Sequence, residues 1–251
     1  MLHAIESNAP DISIVDLEFG DQVDFSLSLG DGSSQVKQLR ISPASPSYAL
    51  GKLPSITPGV EVLNISLLPH EQVSTPMARG KFQHLKYLNI SLHAVLAADE
   101  YDYLSLLAFL DASPALETLV LSSERIMNCF NRGYGRIHRD VSHLVRGQEF
   151  RHDRLKNVTI YGFYSAKSMI ELTYRMLKHT ASLECLTLDT TYGYSRCSSS
   201  RSGRCFPMDK YDVLQAQKAL VAIRRYIKPE VPCNVNLIVV EPCSSCHVSD
   251  N

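Results

Sequence analysis

The chain is 251 residues long, 45% hydrophobic and 20% charged, proportions ordinary for a soluble folded protein. Its net charge of −1 excludes a global field that would draw it to nucleic acid or an anionic membrane. No apolar run approaches the ~20 residues of a membrane span, and Met1-Leu2-His3-Ala4-Ile5-Glu6-Ser7 lacks the basic start and apolar run of a signal peptide, so a cytoplasmic or nuclear, unsecreted protein with its seven cysteines as thiols is expected.

Leu2, Ile5 and Ala9 read as the end of a helix leading into a first strand, with little before them to cap a stack of elements. Val23-Asp-Phe25-Ser-Leu27-Ser-Leu29 alternates at period two, the pattern of an extra strand, and Gly30-Asp-Gly32 ends it with a turn. Tyr48 to Ser55 has room for a turn or two of helix, and residues 69–84, with Pro69, Pro76 and Gly80, return without one. Tyr101 to Asp111 places Tyr103, Leu104, Leu107 and Leu110 on one helical face and stops at Ser113-Pro114. An Arg- and His-rich insertion fills 122–154. Ala166 to His179 is amphipathic through Met169, Leu172, Met176 and Leu177, with Ser165 as the expected N-cap. A polar insertion covers 190–207. Asp209 to Ile227 then forms a last helix through Val213, Leu214, Leu220, Ile223 and Ile227, Val235 to Val240 a closing strand, and 243–251 a polar tail.

One template runs through these elements: apolar, charged slot, any residue, apolar, any residue, apolar. It occurs at Ile12-Val15-Leu17, Val36-Leu39-Ile41, Val60-Leu63-Ile65, Leu85-Leu88-Ile90, Leu116-Leu119-Leu121, Leu155-Val158-Ile160 and Leu183-Leu186-Leu188. Successive starts are 24, 24, 25, 31, 39 and 28 residues apart, the spacing of stacked structural repeats. One such unit cannot bury its own apolar edge and needs neighbours. The expectation is a single α/β solenoid over 1–242, with a mainly parallel sheet on one face and helices and irregular returns on the other.

The slot is filled in order by Ser13, Lys37, Glu61, Lys86, Glu117, Lys156 and Glu184. In a parallel sheet these would stand about 4.8 Å apart in a row of alternating sign. A slipped pairing would break the alternation, so the row reads as a register device. The plainer account is that Lys and Glu are common surface residues.

Chemical signals are sparse. Cys243-Ser-Ser-Cys246-His247 has the spacing of a c-type haem attachment, but without an export signal or an axial-ligand pocket that reading is set aside. A zinc site joining Cys197 and Cys205 to Cys243, Cys246 and His247 has suitable donors. The seven residues between Cys197 and Cys205 are wider than a usual knuckle, and free thiols are favoured. The Arg/His insertion offers a clamp for phosphate or an acidic partner, although such stretches are more often solvated loops. Asn64, Asn89 and Asn157 match the glycosylation sequon within predicted strands, by chance in an unsecreted chain. No nucleophile elbow or glycine-rich phosphate loop supports catalysis, and no cofactor is expected.

What remains is a surface. Between the buried strand positions lie Gln38 and Arg40, Val62 and Asn64, Tyr87 and Asn89, Thr118 and Val120, Asn157 and Thr159, and Cys185 and Thr187. Solenoids use this face for extended binding. Arg40, Tyr87 and Tyr161 lead the candidates, since aromatics and Arg dominate interface energetics, and Asn64, Asn89, Asn157 and Thr187 accompany them. The alternative is a solvated sheet face without a partner.

Lys81-Phe-Gln-His-Leu-Lys-Tyr-Leu, Phe109-Leu-Asp-Ala-Ser-Pro-Ala-Leu-Glu-Thr, Arg151-His-Asp-Arg-Leu-Lys-Asn-Val, Ser182-Leu-Glu-Cys-Leu-Thr-Leu-Asp-Thr-Thr and Glu241-Pro-Cys resemble the leucine-rich-repeat region of plant, especially grass, F-box proteins. The stretch of about 155–189 is similar to the FBD segment that ends many of them. The resemblance implies a non-catalytic domain that binds a protein ligand, the substrate of a cullin ubiquitin ligase. In that family the F-box docks on the Skp1 adaptor. Residues 1–11 hold no F-box, and the Asn usual after each strand is missing, Leu85-Leu88-Ile90 being followed by His93. Direct Skp1 docking is therefore not expected. A decoy that binds a partner without recruiting a ligase, or a zinc-stabilised module, stands as the alternative.

Overall fold

Apolar residues at every second position, with polar ones between, give a strand one covered face, and copies of the template form such strands. The structure is a computed structural model that describes residues 3–6, 13–18, 25–28, 35–67, 80–92, 101–123, 151–191, 203–205 and 208–244. Its strands in chain order are β1 (His3–Glu6), β2 (Ile14–Glu18), β3 (Phe25–Ser28), β4 (Gln38–Ala44), β5 (Val62–Leu67), β6 (Tyr87–Leu92), β7 (Thr118–Ser123), β8 (Asn157–Tyr161), β9 (Cys185–Asp189) and β10 (Asn236–Val240). Eight of them form one parallel sheet in sequence order, β2-β4-β5-β6-β7-β8-β9-β10.

The template sets the register. Leu39, Leu63, Leu88, Leu119, Val158 and Leu186 line up in one row, and Ile41, Ile65, Ile90, Leu121, Ile160 and Leu188 in the next. All of them are buried. A fully buried side chain of this size contributes about 1.5–3 kcal/mol relative to exposure, so the two rows drive the stacking. The template's leading residues, from Val36 to Leu183, are buried beside them; Ile12 lies outside the described residues.

The slot also organises the backbone. The carbonyl of Ser13 accepts the amides of Lys37 and Gln38, that of Lys37 those of Glu61 and Val62, and so on through Glu61, Lys86, Glu117 and Lys156. One carbonyl thus receives two donors at each strand entrance from β4 to β9, while at β10 the Glu184 carbonyl receives the Asn236 amide alone.

The returns cover the apolar face. They include α1 (Pro46–Gly51), α2 (Leu53–Ile56), a 3₁₀ turn at Tyr103–Leu106 running into α3 (Leu107–Asp111), α4 (Lys167–His179) and α5 (Lys210–Ala222). Ser45 caps α1 through Tyr48 N, and Asp209 caps α5 through Asp212 N at 2.7 Å. On α4 the buried positions Met169, Leu172, Thr173, Met176 and Leu177 follow the helical period. Gly80 is held against Pro54: a Cβ there would meet Pro54 Cβ at 2.7 Å.

Three expectations are corrected. Residues His3–Glu6 form a strand, paired in parallel with Phe25–Ser28, where a helix end was read; a few apolar residues at mixed spacing cannot separate the two periods, and the distant partner decides. The N-cap of α4 is Ala166, extended and without a side-chain cap, in place of Ser165. The packed face of the last helix is Ala216 and Ala219 on α5 with Ile223 and Ile227 on the π-helical segment Ile223–Ile227 that continues it, while Leu214 is 47% exposed. Small residues won there because they let the helix approach the stack closely, which Leu214 would prevent. The expected closing strand forms as β10, the eighth member of the main sheet, although Asn234 and Val235 stand where the template has an apolar residue and a charge.

Candidate binding face

The strands present their polar positions on the face opposite the helices. In register, Arg40, Asn64, Asn89, Val120, Thr159 and Thr187 make one row, and Gln38, Val62, Tyr87, Thr118, Asn157 and Cys185 the row beside it. A third row, Ser66, Ser91, Ser122, Tyr161 and Asp189, continues along the strand ends. Sequence reasoning missed the serines of this row because they lie beyond the template; the pairing itself is the signal that reveals them.

The sequence-predicted residues do not converge on a point. Arg40 on β4 and Tyr161 on β8 are four strand spacings apart, roughly 19 Å at about 4.8 Å each. Arg40 is exposed, with Asp16 at 3.9 Å. Asn89 Nδ2 donates to Asn64 Oδ1 at 3.3 Å, joining β6 to β5. The orientation leaves Asn89 Oδ1 buried and without a hydrogen-bond partner among the described residues. Tyr87 and Tyr161 stand on either side of β7. Burial, and then the nearby Tyr161 hydroxyl, raise the Tyr87 phenol above its ordinary value. Tyr161 is 40% exposed. Asn157 is exposed and Thr187 half-buried, with Cys185 Sγ 3.9 Å from its hydroxyl.

From β5 to β9 the only ionisable carboxylate in these rows is Asp189. It is buried and accepts from the amide and hydroxyl of Thr191 at 2.7 and 2.6 Å. The face is accordingly neutral, amide- and hydroxyl-rich, with two tyrosines near its centre.

The slot residues form its upper rim. Glu61 is bridged by Lys86 at 2.7 Å and by Lys37 at 3.6 Å, and Glu117 by Lys156 at 3.6 Å. The bond from Lys86 is the main reason that the Glu61 carboxyl lies below its ordinary value. After Glu184 the row ends on buried Val235.

No cluster of three or more His, Cys, Asp or Glu suited to a metal occurs among the described residues. Of the zinc candidates, Cys205 and Cys243 are half-buried, and Cys197, Cys246 and His247 lie outside the described residues, as does most of the Arg/His insertion. No described helix is long and apolar enough to cross a membrane.

A chain-ordered parallel sheet built from a repeated apolar template, with returns on one side and an open face on the other, defines a leucine-rich-repeat solenoid, a class that presents extended surfaces for protein recognition. The chain belongs to the family described as At1g61320/AtMIF1, LRR domain, whose model matches residues 1–244. No curated protein and no solved structure matches it.

Proposed function

We propose that this protein is a non-catalytic recognition domain that captures a protein partner on the open face, around Tyr87, Tyr161 and the Asn64–Asn89 pair. The observation that supports this reading most is the neutrality of that face: over five adjacent strands it offers amides, hydroxyls and aromatic rings, with its one carboxylate consumed internally. A general acid, base or nucleophile needs a titratable group poised in a cleft, whereas the titratable groups of these rows, Tyr87, Tyr161, Cys185 and Asp189, are spread over β6 to β9 on an open sheet face. Tyrosine, by contrast, gives a large amphipathic contact area at low entropic cost.

The finer reading takes the partner as a ubiquitination substrate and the chain as the substrate-binding region of an F-box subunit, which the resemblance to plant F-box proteins supports. Placing a photo-crosslinking amino acid at position 161 and, as a control, at Tyr174 on the exposed side of α4 tests the face. Capture of one protein from position 161 alone, lost in the Tyr87→Ala/Tyr161→Ala double variant, is the expected result. Equal capture from position 174, or capture unaffected by the double variant, would overturn the assignment. Co-purification with Skp1 and a cullin would contradict the expectation that this chain does not dock directly. A partner captured without the ligase favours the decoy.

A further inference from the structure

The two edges of the main sheet are guarded differently. At one, β2 carries Asp16 and Glu18, both exposed, charges of the kind that protect a free strand from pairing with another. At the other, β10 reads Asn-Leu-Ile-Val-Val, with no charge, no proline and no bulge, and among the described residues its only partner is β9. Its free side therefore presents a row of backbone donors and acceptors together with β-branched side chains.

The apolar rows also run out at this edge without being closed. Leu186 and Leu188 on β9 are fully buried, whereas Leu237 and Val239, next in the same rows, are only half-buried. They line a groove of about 470 Å³ with Leu220, Ile223, Val231 and Val235, and no residue of β9 contributes to it, so it lies on the outer side of β10. Ile238, on the opposite face of the strand, is 40% exposed.

We propose that two copies of this chain associate through β10, pairing antiparallel about a two-fold axis at Ile238. The sequence of the strand is self-complementary in that arrangement. Leu237 falls opposite the partner's Val239 and Val239 opposite the partner's Leu237, so both apolar pairs lie on the core side and each copy extends the other's rows over the groove. Ile238 meets its own equivalent on the open face, and Asn236 meets the partner's Val240. An isologous interface requires this reciprocity, and the strand alternation preserves the inside and outside of both sheets. Charge does not oppose the pairing: Glu241, just past the end of β10, is met by Arg224 of its own chain at 3.7 Å. The result is one continuous sheet joining the two copies, parallel within each and antiparallel at the junction.

The test is sedimentation equilibrium on the full chain over a range from micromolar to near-millimolar, with Ile238→Lys, Ile238→Glu and their equimolar mixture. Wild type is expected to approach twice the 28.0 kDa chain mass as concentration rises. Each single variant is expected to remain monomeric, because like charges then face each other across the axis, while the mixture recovers the dimer. Position 238 is 40% exposed, so folding should survive, and circular dichroism verifies this; where a charged variant unfolds, Ile238→Thr is measured in its place and is expected to move the monomer–dimer midpoint to higher concentration, an unmoved midpoint overturning the proposal. A monomeric wild type, a dimer that persists in Ile238→Lys, or folded variants whose mixture stays monomeric would each overturn the proposal.

Discussion

His152 Nε2 lies 2.9 Å from the carbonyl oxygen of Ser113, a residue 39 positions earlier in the chain. The other ring nitrogen accepts the amides of Arg154 and Leu155 at 3.3 and 3.1 Å, which places the proton on Nε2 and makes the ring a donor to Ser113. The His152 amide in turn donates to His179 O at 2.9 Å. One buried imidazole thereby ties the entrances of β7 and β8 together while its backbone reaches the end of α4. Replacing it with Phe keeps a slightly larger aromatic ring in place and removes three hydrogen bonds to buried and part-buried backbone groups. His152→Phe is expected to lower stability by roughly 2–4 kcal/mol, on the scale of leaving buried polar groups unpaired, read as a lower urea midpoint with an unchanged far-ultraviolet dichroism spectrum.

The alternating row predicts an asymmetry between neutralising and reversing a charge. Glu117 lies in register between Lys86 and Lys156, and its bridge to Lys156 is half-exposed. Glu117→Gln should therefore cost little, at most about 1 kcal/mol. Glu117→Lys puts three like charges side by side and should be measurably less stable than Glu117→Gln in low salt, the gap closing as salt is added. Equal stabilities for the two variants would remove the register role of the row.

Acid should loosen the same rim. The Glu61 carboxyl is lowered in the folded protein, chiefly by the hydrogen bond from Lys86. A depressed carboxylate contributes stability that is present above its unfolded-state value and lost as pH falls through the folded value. Thermal unfolding midpoints of the wild type should thus decline below the ordinary value of 4.5, and Glu61→Gln should show a shallower decline over that window. Parallel curves would mean that the Lys37–Glu61–Lys86 cluster carries no linkage.

A buried hydroxyl chain joins two returns to the end of β7. Tyr164 Oη donates to Tyr103 Oη at 2.8 Å, and Tyr103 Oη lies 2.8 Å from Ser123 Oγ at the end of β7. Tyr101 packs edge-on against Tyr103 with ring centroids 4.9 Å apart, and burial raises its phenol. Tyr103 occupies the middle of the chain, so Tyr103→Phe should cost about 1–3 kcal/mol. Tyr164→Phe should cost less, because the Tyr103–Ser123 contact survives it. Denaturant titration of the two variants checks the order.

The sequence alone determined the stack. Template starts such as Val60, Leu85 and Leu116 fixed which residues are covered, since a period-two pattern admits one covered face, and every strand needs a like neighbour to bury its edge. The slot charges and the polar positions between the apolar ones were legible for the same reason. Tertiary contacts decided the rest. Whether His3–Glu6 is helix or strand depends on Phe25–Ser28, which no local period encodes. The packed face of α5 depends on how closely the last return approaches the stack, a choice of Ala216 and Ala219 over Leu214. His152 and Tyr103 act through partners 39 and 61 residues away. The neutral strip of the open face emerged only when pairing set Ser66, Ser91 and Ser122 beside Tyr161, because side chains from different repeats meet through the sheet and not along the chain.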